Sequence, residues 1–334
     1  MASTTVVIPF ALPPAELAAD IARALQVPSL AALLSRNNLH ERRRFDSDAR
    51  VLPHENWLAP GSDGAPLAAA VMNGFGTPPQ DGYWFIVHPV HIQLARNHLT
   101  MADPRNLGLN EADSRALFEL AKPFFDDLRY GDANTWFMRA DGWSELDTAS
   151  LDAAIGTNLA DWMPTGPNAL GFKKLQNEVQ MLWHENPVNE AREARRLPPV
   201  NSFWMWGGAP ASGATAPAAP LLVSSAPGWL TALGTPELRD GDVARLQATP
   251  GERKTAVLGH LLPHGLAGDW SAWLMEMQRL EQEWFTPLLA ALREGRIGEL
   301  KLVLTDRDGV TTFRTTKMVL RQFWRQQNLK NLKS

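Results

Sequence analysis

The chain has 334 residues, 45% apolar and 20% charged, with a formal net charge of −4; these ordinary globular values exclude disorder throughout and leave no basic field to attract nucleic acid or a membrane surface. It contains no cysteine, which excludes disulfides and thiolate metal centres. No run of about 18 uninterrupted apolar residues occurs, and the apolar start lacks Lys and Arg and is cut by Pro9, Pro13 and Pro14, so neither a membrane span nor a secretory leader is predicted and the expected compartment is the cytoplasm.

Residues 4–10 are rich in β-branched side chains and predict a short buried strand. Pro13 and Pro14 suit the first turn of a helix over 15–25. Residues 29–36 form a second short helix with Ser29 as its candidate cap. Residues 60–63 mark a turn and 66–73 a helix. Residues 83–94 are strand-like, interrupted at Pro89. Residues 110–125 have helical periodicity, with asparagine at the N-cap and Glu111 in the first turn. A strand at 135–139 is followed by a helix over 168–184, which Pro187 ends, and by a strand over 200–206, which Gly207 and Gly208 break. Residues 209–220, rich in Ala, Pro, Ser and Gly, read as a flexible loop. Beyond them lie a strand at 255–262 and the longest helical pattern, 269–293. Strands at 300–305 and 310–314 frame Asp308-Gly309, a hairpin signal, and a terminal helix covers 317–325. Strands alternate with helices at both ends of the chain, which predicts an α/β fold with a mostly parallel sheet.

Thirteen tryptophans against two tyrosines point to core packing by large flat side chains. His88 and His91 lie in an apolar strand with a proline between them, so both read as hydrogen-bonded structural histidines. Asn177, Glu178 and Gln180 crowd one polar stretch of the 168–184 helix and, where buried, must be bonded to one another or to backbone. The C-terminal Lys317, Arg321, Arg325, Lys330 and Lys333 read as a solvated basic tail, and nucleic acid is not an expected partner.

The run from 184 to 209, HENPVNEAREARRLPPVNSFWMWGGA, sets His184, Pro187, Val188, Asn189, Arg192, Pro199, Asn201, Gly207 and Gly208 in order. It resembles the signature of archaeal-type cofactor-independent phosphoglycerate mutases of the alkaline phosphatase superfamily. Together with YWFIVHPVHIQL upstream it is more similar still to bacterial RpfE-type regulatory proteins. Weaker echoes are Val27-Pro28-Ser29-Leu30, where such mutases carry a T-P-N-L turn, and Pro60-Gly61-Ser62-Asp63, where their P-G-S-D turn holds the phosphorylated serine. The resemblance implies an alkaline-phosphatase-like core from residues 1–82 and 199–334, with an α+β lid inserted over 83–198.

It also implies a site to look for. Such mutases hold two divalent ions that activate the nucleophile and clamp the attacking and leaving oxygens, with Asp and His ligands gathered from several strand ends. Here the first strand ends Ile8-Pro9-Phe10-Ala11, without the family's aspartate. The family's D-E-x-G-H stretch becomes His264-Gly265-Leu266-Ala267-Gly268-Asp269, and its last D-H pair becomes Asp306-Arg307-Asp308. Trp206 stands in place of an arginine, which removes a phosphate-binding fork. The expectation is a degenerate site without a bound cofactor, whose residual metal candidates are His264, Asp269, Asp306 and Asp308 and whose residual nucleophile is Ser62. Ser62 also reads as a plain turn residue.

His184, Asn189, Arg192 and Asn201 are the candidate ligand contacts, for a phosphorylated small molecule. Against that, Asn189 beside Pro187 can fix a turn, and Arg192, with Arg195 and Arg196, can be a solvated helix face. Three functions come into view. The first is a regulatory or ligand-sensing descendant of a phosphomutase. The second is an active mutase or phosphatase using Ser62 with Mn²⁺ or Zn²⁺. The third is a protein-interaction partner in nucleic-acid metabolism.

Overall fold

The computed structural model of the protein describes residues 3–46, 48–59, 64–213, 219–322 and 324–333. Within them the strands are β1 (Ser3–Ile8), β2 (Leu39–Arg44), β3 (Tyr83–Val90), β4 (Ile92–Ala95), β5 (His98–Met101), β6 (Asp127–Asp132), β7 (Thr135–Arg139), β8 (Ser202–Pro210), β9 (Leu221–Ser224), β10 (Arg253–Leu258), β11 (Glu299–Thr305) and β12 (Gly309–Thr316). The chain divides into two compact units, Met1–Asp48 with Pro217–Ser334, and Ala49–Ala216. The expected insert, 83–198, falls inside the second unit, which also takes in 49–82 and 199–216. The reason is pairing: β8 runs along the length of β3, and helix Ala68–Gly74 packs on both strands.

In the first unit six strands run in the order β2-β12-β11-β1-β10-β9. The pairs from β11 through β1 and β10 to β9 are parallel, and β12 and β2 add antiparallel at one edge. This is the mostly parallel α/β sheet that strand–helix alternation predicts. Val6, Val7 and Ile8 of the central β1 are fully buried, as a strand covered on both faces requires. Val6 and Ile8 share a core with Leu302 and Leu304 of β11 and with Trp273, Phe285, Leu288 and Leu292 of the helices above. The Asp308-Gly309 hairpin forms as predicted, with Thr305 opposite Val310.

The 269–293 pattern is one helical run with a π-helical turn inside it, Trp270–Leu280, Glu281–Phe285 and Thr286–Glu294. Such a turn inserts a residue into the helix. Here it carries Glu281, which is buried and whose carboxylate accepts the N–H groups of Ser29 at 2.6 Å and Leu30 at 3.0 Å. Those are orphan donors at the start of helix Pro28–Ser35. The cap therefore comes from the far end of the chain. The Ser29 hydroxyl, expected to cap, meets Thr286 Oγ1 at 2.9 Å instead. The terminal helix is shorter than predicted, Lys317–Leu320. Among the described residues no helix is long and apolar enough to cross a membrane.

In the second unit the order is β6-β7-β3-β8, antiparallel throughout, with β4 and β5 as a separate hairpin. Pro89 does not interrupt β3. β7 pairs only with Trp84 to Val87, so at Pro89 the strand has one neighbour, β8, the edge-like setting where proline is tolerated. Nor do Gly207 and Gly208 end β8. The β3–β8 register shifts between Trp84 and Ile86, Gly207 has φ +68°, and a Cβ on Gly208 would stand 2.5 Å from a Phe85 ring carbon. The glycine pair thus builds a bulge inside the ladder. Ala209 and Pro210 still belong to β8 and Ala211–Gly213 forms a 3-10 turn; of the loop expected over 209–220, residues 214–218 lie outside the described residues.

One face of this sheet is dry and aromatic. Phe85, Val87, Trp136, Met138, Phe203 and Met205 pack against Leu117, Phe118, Phe172, Val179 and Trp183 of helices Glu111–Ala121 and Ala169–Trp183. Trp136 meets Trp183 edge to face at 6.0 Å. The tryptophan count is explained by the core, because eight of these side chains are among the largest fully buried ones, while Trp324 is exposed.

The Glu281 cap gives a stability prediction. Glu281→Ala removes two charge-assisted hydrogen bonds and is expected to cost about 3 kcal/mol, whereas Glu281→Gln, which keeps one acceptor, costs about half of that. Urea unfolding followed by tryptophan fluorescence checks both; equal midpoints for all three proteins would contradict the assignment.

Candidate functional site

The signature segment folds as helix end, turn, helix and strand. Asn186 accepts the Val188 N–H and caps helix Pro187–Ala194, so Pro187 opens one helix where it was expected to close another. His184 lies on the surface with its side chain 78% exposed. The other three expected ligand contacts are turned inward. Asn189 donates to the carbonyls of Trp183 and Val200, both at 2.9 Å, and accepts the Val200 N–H at 2.8 Å. Arg192, fully buried, donates to the carbonyls of Leu107 at 2.6 Å, Pro198 at 3.1 Å and Gly108 at 3.5 Å, and to the Asp113 carboxylate at 3.3 Å. Asn201 exchanges two hydrogen bonds with the Ile92 backbone, both 2.8 Å. Most of the hydrogen bonds of these three side chains go to the protein's own backbone. Gln176 does the same, donating to the Phe203 carbonyl at 3.0 Å, whereas Gln180 donates to the Ser202 hydroxyl at 3.0 Å.

Ser62 lies outside the described residues. The residual metal candidates are committed locally. Asp306 is buried; its Oδ2 accepts from Arg42 at 3.0 Å and its Oδ1 from the Asp308 N–H at 2.8 Å. Asp269 caps helix Trp270–Leu280 through the Ala272 N–H at 3.0 Å. His264 lies in the short helix Leu262–Ala267 just before it. Where the resemblance puts an aspartate, Phe10 packs so closely that a Cβ on Gly265 would meet its Cβ at 2.5 Å, and the Phe10 carbonyl accepts the Trp273 indole N–H at 2.8 Å. Among the described residues these four candidates do not assemble into a group of three ligand atoms within 4.8 Å. A two-ion site at these positions does not fit the residues present.

A different set does assemble, in the second unit. Pro53 opens the short helix Pro53–Leu58, which carries His54 and Glu55; Glu55 Oε2 reaches back to accept the Leu52 N–H at 2.7 Å. Ser150 caps the single turn Leu151–Ala154 and thereby places Asp152. His54, Glu55 and Asp152 are all buried, and one ligand atom from each lies within 4.8 Å of the others. Arg105 forks onto both oxygens of Asp152, at 2.8 and 3.3 Å, and its Nε donates to Asp103 at 2.7 Å. His88 lies on the sheet face opposite the aromatic core. Its Nδ1 meets the Asn134 carbonyl at 2.6 Å, and its Nε2 lies 3.0 Å from the Trp206 indole N–H. An indole nitrogen only donates and a carbonyl only accepts, so the proton is on Nδ1. Trp206 thus serves His88. His91 is likewise held, by the Pro199 carbonyl at 2.8 Å. Both histidines are hydrogen-bonded as expected.

The electrostatics follow from burial. Desolvation pushes the Glu55 carboxyl up to about 8, the Asp152 charge adding to it while Ser150, the Leu52 N–H and Arg105 oppose. Desolvation also drops His54 and His88 to about 4. For Arg105 desolvation is outweighed by Asp152 and Asp103, which hold the guanidinium above its usual range. At neutral pH the cluster is therefore a charged Arg105–Asp152 pair beside a protonated Glu55 and neutral imidazoles. Sequence reasoning missed it because positions 54–55 and 152 are remote and share no motif; the local signal was a His-Glu pair set against the apolar Val51-Leu52-Pro53.

The protein so described is of α/β class, with a mostly parallel sheet in one unit and an antiparallel sheet in the other. No family profile matches the chain, and no curated protein aligns with it significantly. Among solved structures it aligns with the cofactor-independent phosphoglycerate mutase from Thermoplasma acidophilum DSM 1728, at 13% identity over 99% of this chain and 94% of that one, with a TM-score of 0.44. It also aligns with the PH0037 protein from Pyrococcus horikoshii, at 9% identity over 94% of this chain and 87% of that one, with a TM-score of 0.54. The second alignment establishes a shared fold. At such identities no activity passes from either protein to this chain.

Two predictions arise here. Arg192→Lys puts a point charge where a fork joins three carbonyls, and is expected to lower stability by about 3 kcal/mol, measured by urea unfolding. The second concerns pH. Glu55 holds its proton more tightly folded than unfolded, so between its ordinary 4.5 and about 8 stability falls as pH rises. His54 and His88 act oppositely between about 4 and 6.5, where the unfolded chain binds the extra protons. From pH 6.5 to 8 only the carboxyl of these three still titrates. Stability should fall across that window by up to about 1.4 kcal/mol per pH unit, and Glu55→Gln should flatten the fall; an unchanged slope in the variant would refute it.

Proposed function

We propose that this chain is a phosphoglycerate-mutase-like protein of the RpfE type that no longer runs the mutase reaction and acts by binding, as a regulatory or ligand-sensing protein. One observation carries the reading. The ordered signature from His184 to Gly208 is retained, while the positions at which the resemblance puts metal ligands hold Phe10 packed on Gly265, Asp306 paired with Arg42, and Asp269 engaged as a helix cap. Two divalent ions need several free oxygen and imidazole donors converging on one place, and these donors are occupied or replaced. The ligand class that the resemblance implies is a phosphorylated small molecule.

The test is catalytic. With Mn²⁺ or Zn²⁺ supplied, the protein is expected to interconvert 2- and 3-phosphoglycerate, or release phosphate from them, no faster than its Ser62→Ala variant, as followed by phosphorus NMR. Metal-stimulated turnover that vanishes in Ser62→Ala would establish an active phosphomutase and remove the proposal.

A further inference from the structure

The cluster of His54, Glu55 and Asp152 has no part in the mutase-like reading, and its charge is out of balance. With Glu55 ionised, Glu55, Asp152 and Asp103 set three negative charges against the one positive charge of Arg105. Burying that excess is costly. A cation of two positive charges would take up the difference. A second observation favours a cation. Glu55 is fully buried, and its Oε1 closes no hydrogen bond of good geometry even with Ser150 close by. A buried carboxylate oxygen without a donor is rare in a folded protein and is what a metal ligand looks like without its metal.

We propose that His54, Glu55 and Asp152 form a binding site for one divalent ion of the Zn²⁺ or Mn²⁺ class. An imidazole with two carboxylates suits these metals, whereas Ca²⁺ selects oxygen ligands alone. At metal–ligand distances of about 2.1 Å, neighbouring ligand atoms of a tetrahedral site are about 3.4 Å apart. The three donor atoms lie within 4.8 Å of one another, so they need only a modest closing movement, within reach of rotamer changes. Arg105 would orient the Asp152 carboxylate from outside, the role a hydrogen-bonding partner plays behind a metal ligand. Complete burial makes this a closed, stabilising site that joins helix Pro53–Leu58 to the turn Leu151–Ala154.

The inference stands apart from the mutase-like positions, and the test separates the two. The full-length protein is stripped with a chelator, incubated with Zn²⁺ or Mn²⁺, desalted, and its metal counted, with thermal melting alongside. One ion per chain and a raised Tm are expected. Glu55→Gln and Asp152→Asn, close in shape to the native residues, should each cut occupancy at least tenfold while circular dichroism shows them folded, and Asp306→Asn should keep the ion. A wild-type protein that retains no metal overturns the proposal, as does equal retention in the Glu55 and Asp152 variants. Loss of the ion only in Asp306→Asn would also overturn it, and would return the metal to the mutase-like positions.

Discussion

Backbone that is neither helix nor strand can be buried only if side chains supply its hydrogen-bond partners, and the second unit is organised around one such place. Between helix Pro187–Ala194 and β8 the chain must return to the sheet through Pro198, Pro199 and Val200. Arg192 takes up the Pro198 carbonyl together with those of Leu107 and Gly108, and Asn189 closes both polar groups of Val200. Asn201 then pairs with Ile92 as a strand neighbour would. These bonds deliver β8 in register beside β3, and both faces of the four-stranded sheet are built on that pair.

The two faces answer the same requirement in different ways. On one, rings meet edge to face and the few polar groups are hydrogen-bonded, as where the Trp183 indole donates to the Leu117 carbonyl and Gln176 to that of Phe203. On the other, charge is brought inside. Arg105 is fixed by two carboxylates, and His88 is fixed in one tautomer by a carbonyl and an indole. In a low-dielectric setting such groups rigidify the fold when fully bonded and are expensive when they are not. At Glu55 the bonding is incomplete, because its Oε1 has no hydrogen-bond partner.

Much of the architecture was legible in the residues because it follows from local chemistry. Residues 135–139 form a strand, Asn110 caps its helix through the Asp113 N–H, and Asp308-Gly309 turns a hairpin. What was not legible depends on distant partners. β2, sequence LHERRR, has no apolar alternation and exists because β12 pairs with it; its arginines suit an edge that must not recruit another chain. Pro89 and the Gly207-Gly208 pair read as breaks when taken alone, yet a strand with one neighbour tolerates the first and a bulge requires the second. The π turn gives no local signal, since its consequence is a carboxylate delivered to the start of another helix. The His54, Glu55 and Asp152 cluster is hidden for the same reason, being created by two short segments that meet only in the folded unit.

Three residues of the signature segment are committed largely to hydrogen bonds with backbone. Asn189, Arg192 and Asn201 hold the return to β8, and the glycine pair shapes the bulge that follows. Removing any of these side chains would leave buried carbonyls or amides without partners. The chain leaving β1 instead carries Phe10 packed on Gly265, and Asp306 is held in an ion pair with Arg42. Persistence of the signature therefore speaks for a shared frame. The chemistry of this chain is better sought where a buried carboxylate oxygen is left without a hydrogen bond, and among the described residues that is Glu55 Oε1.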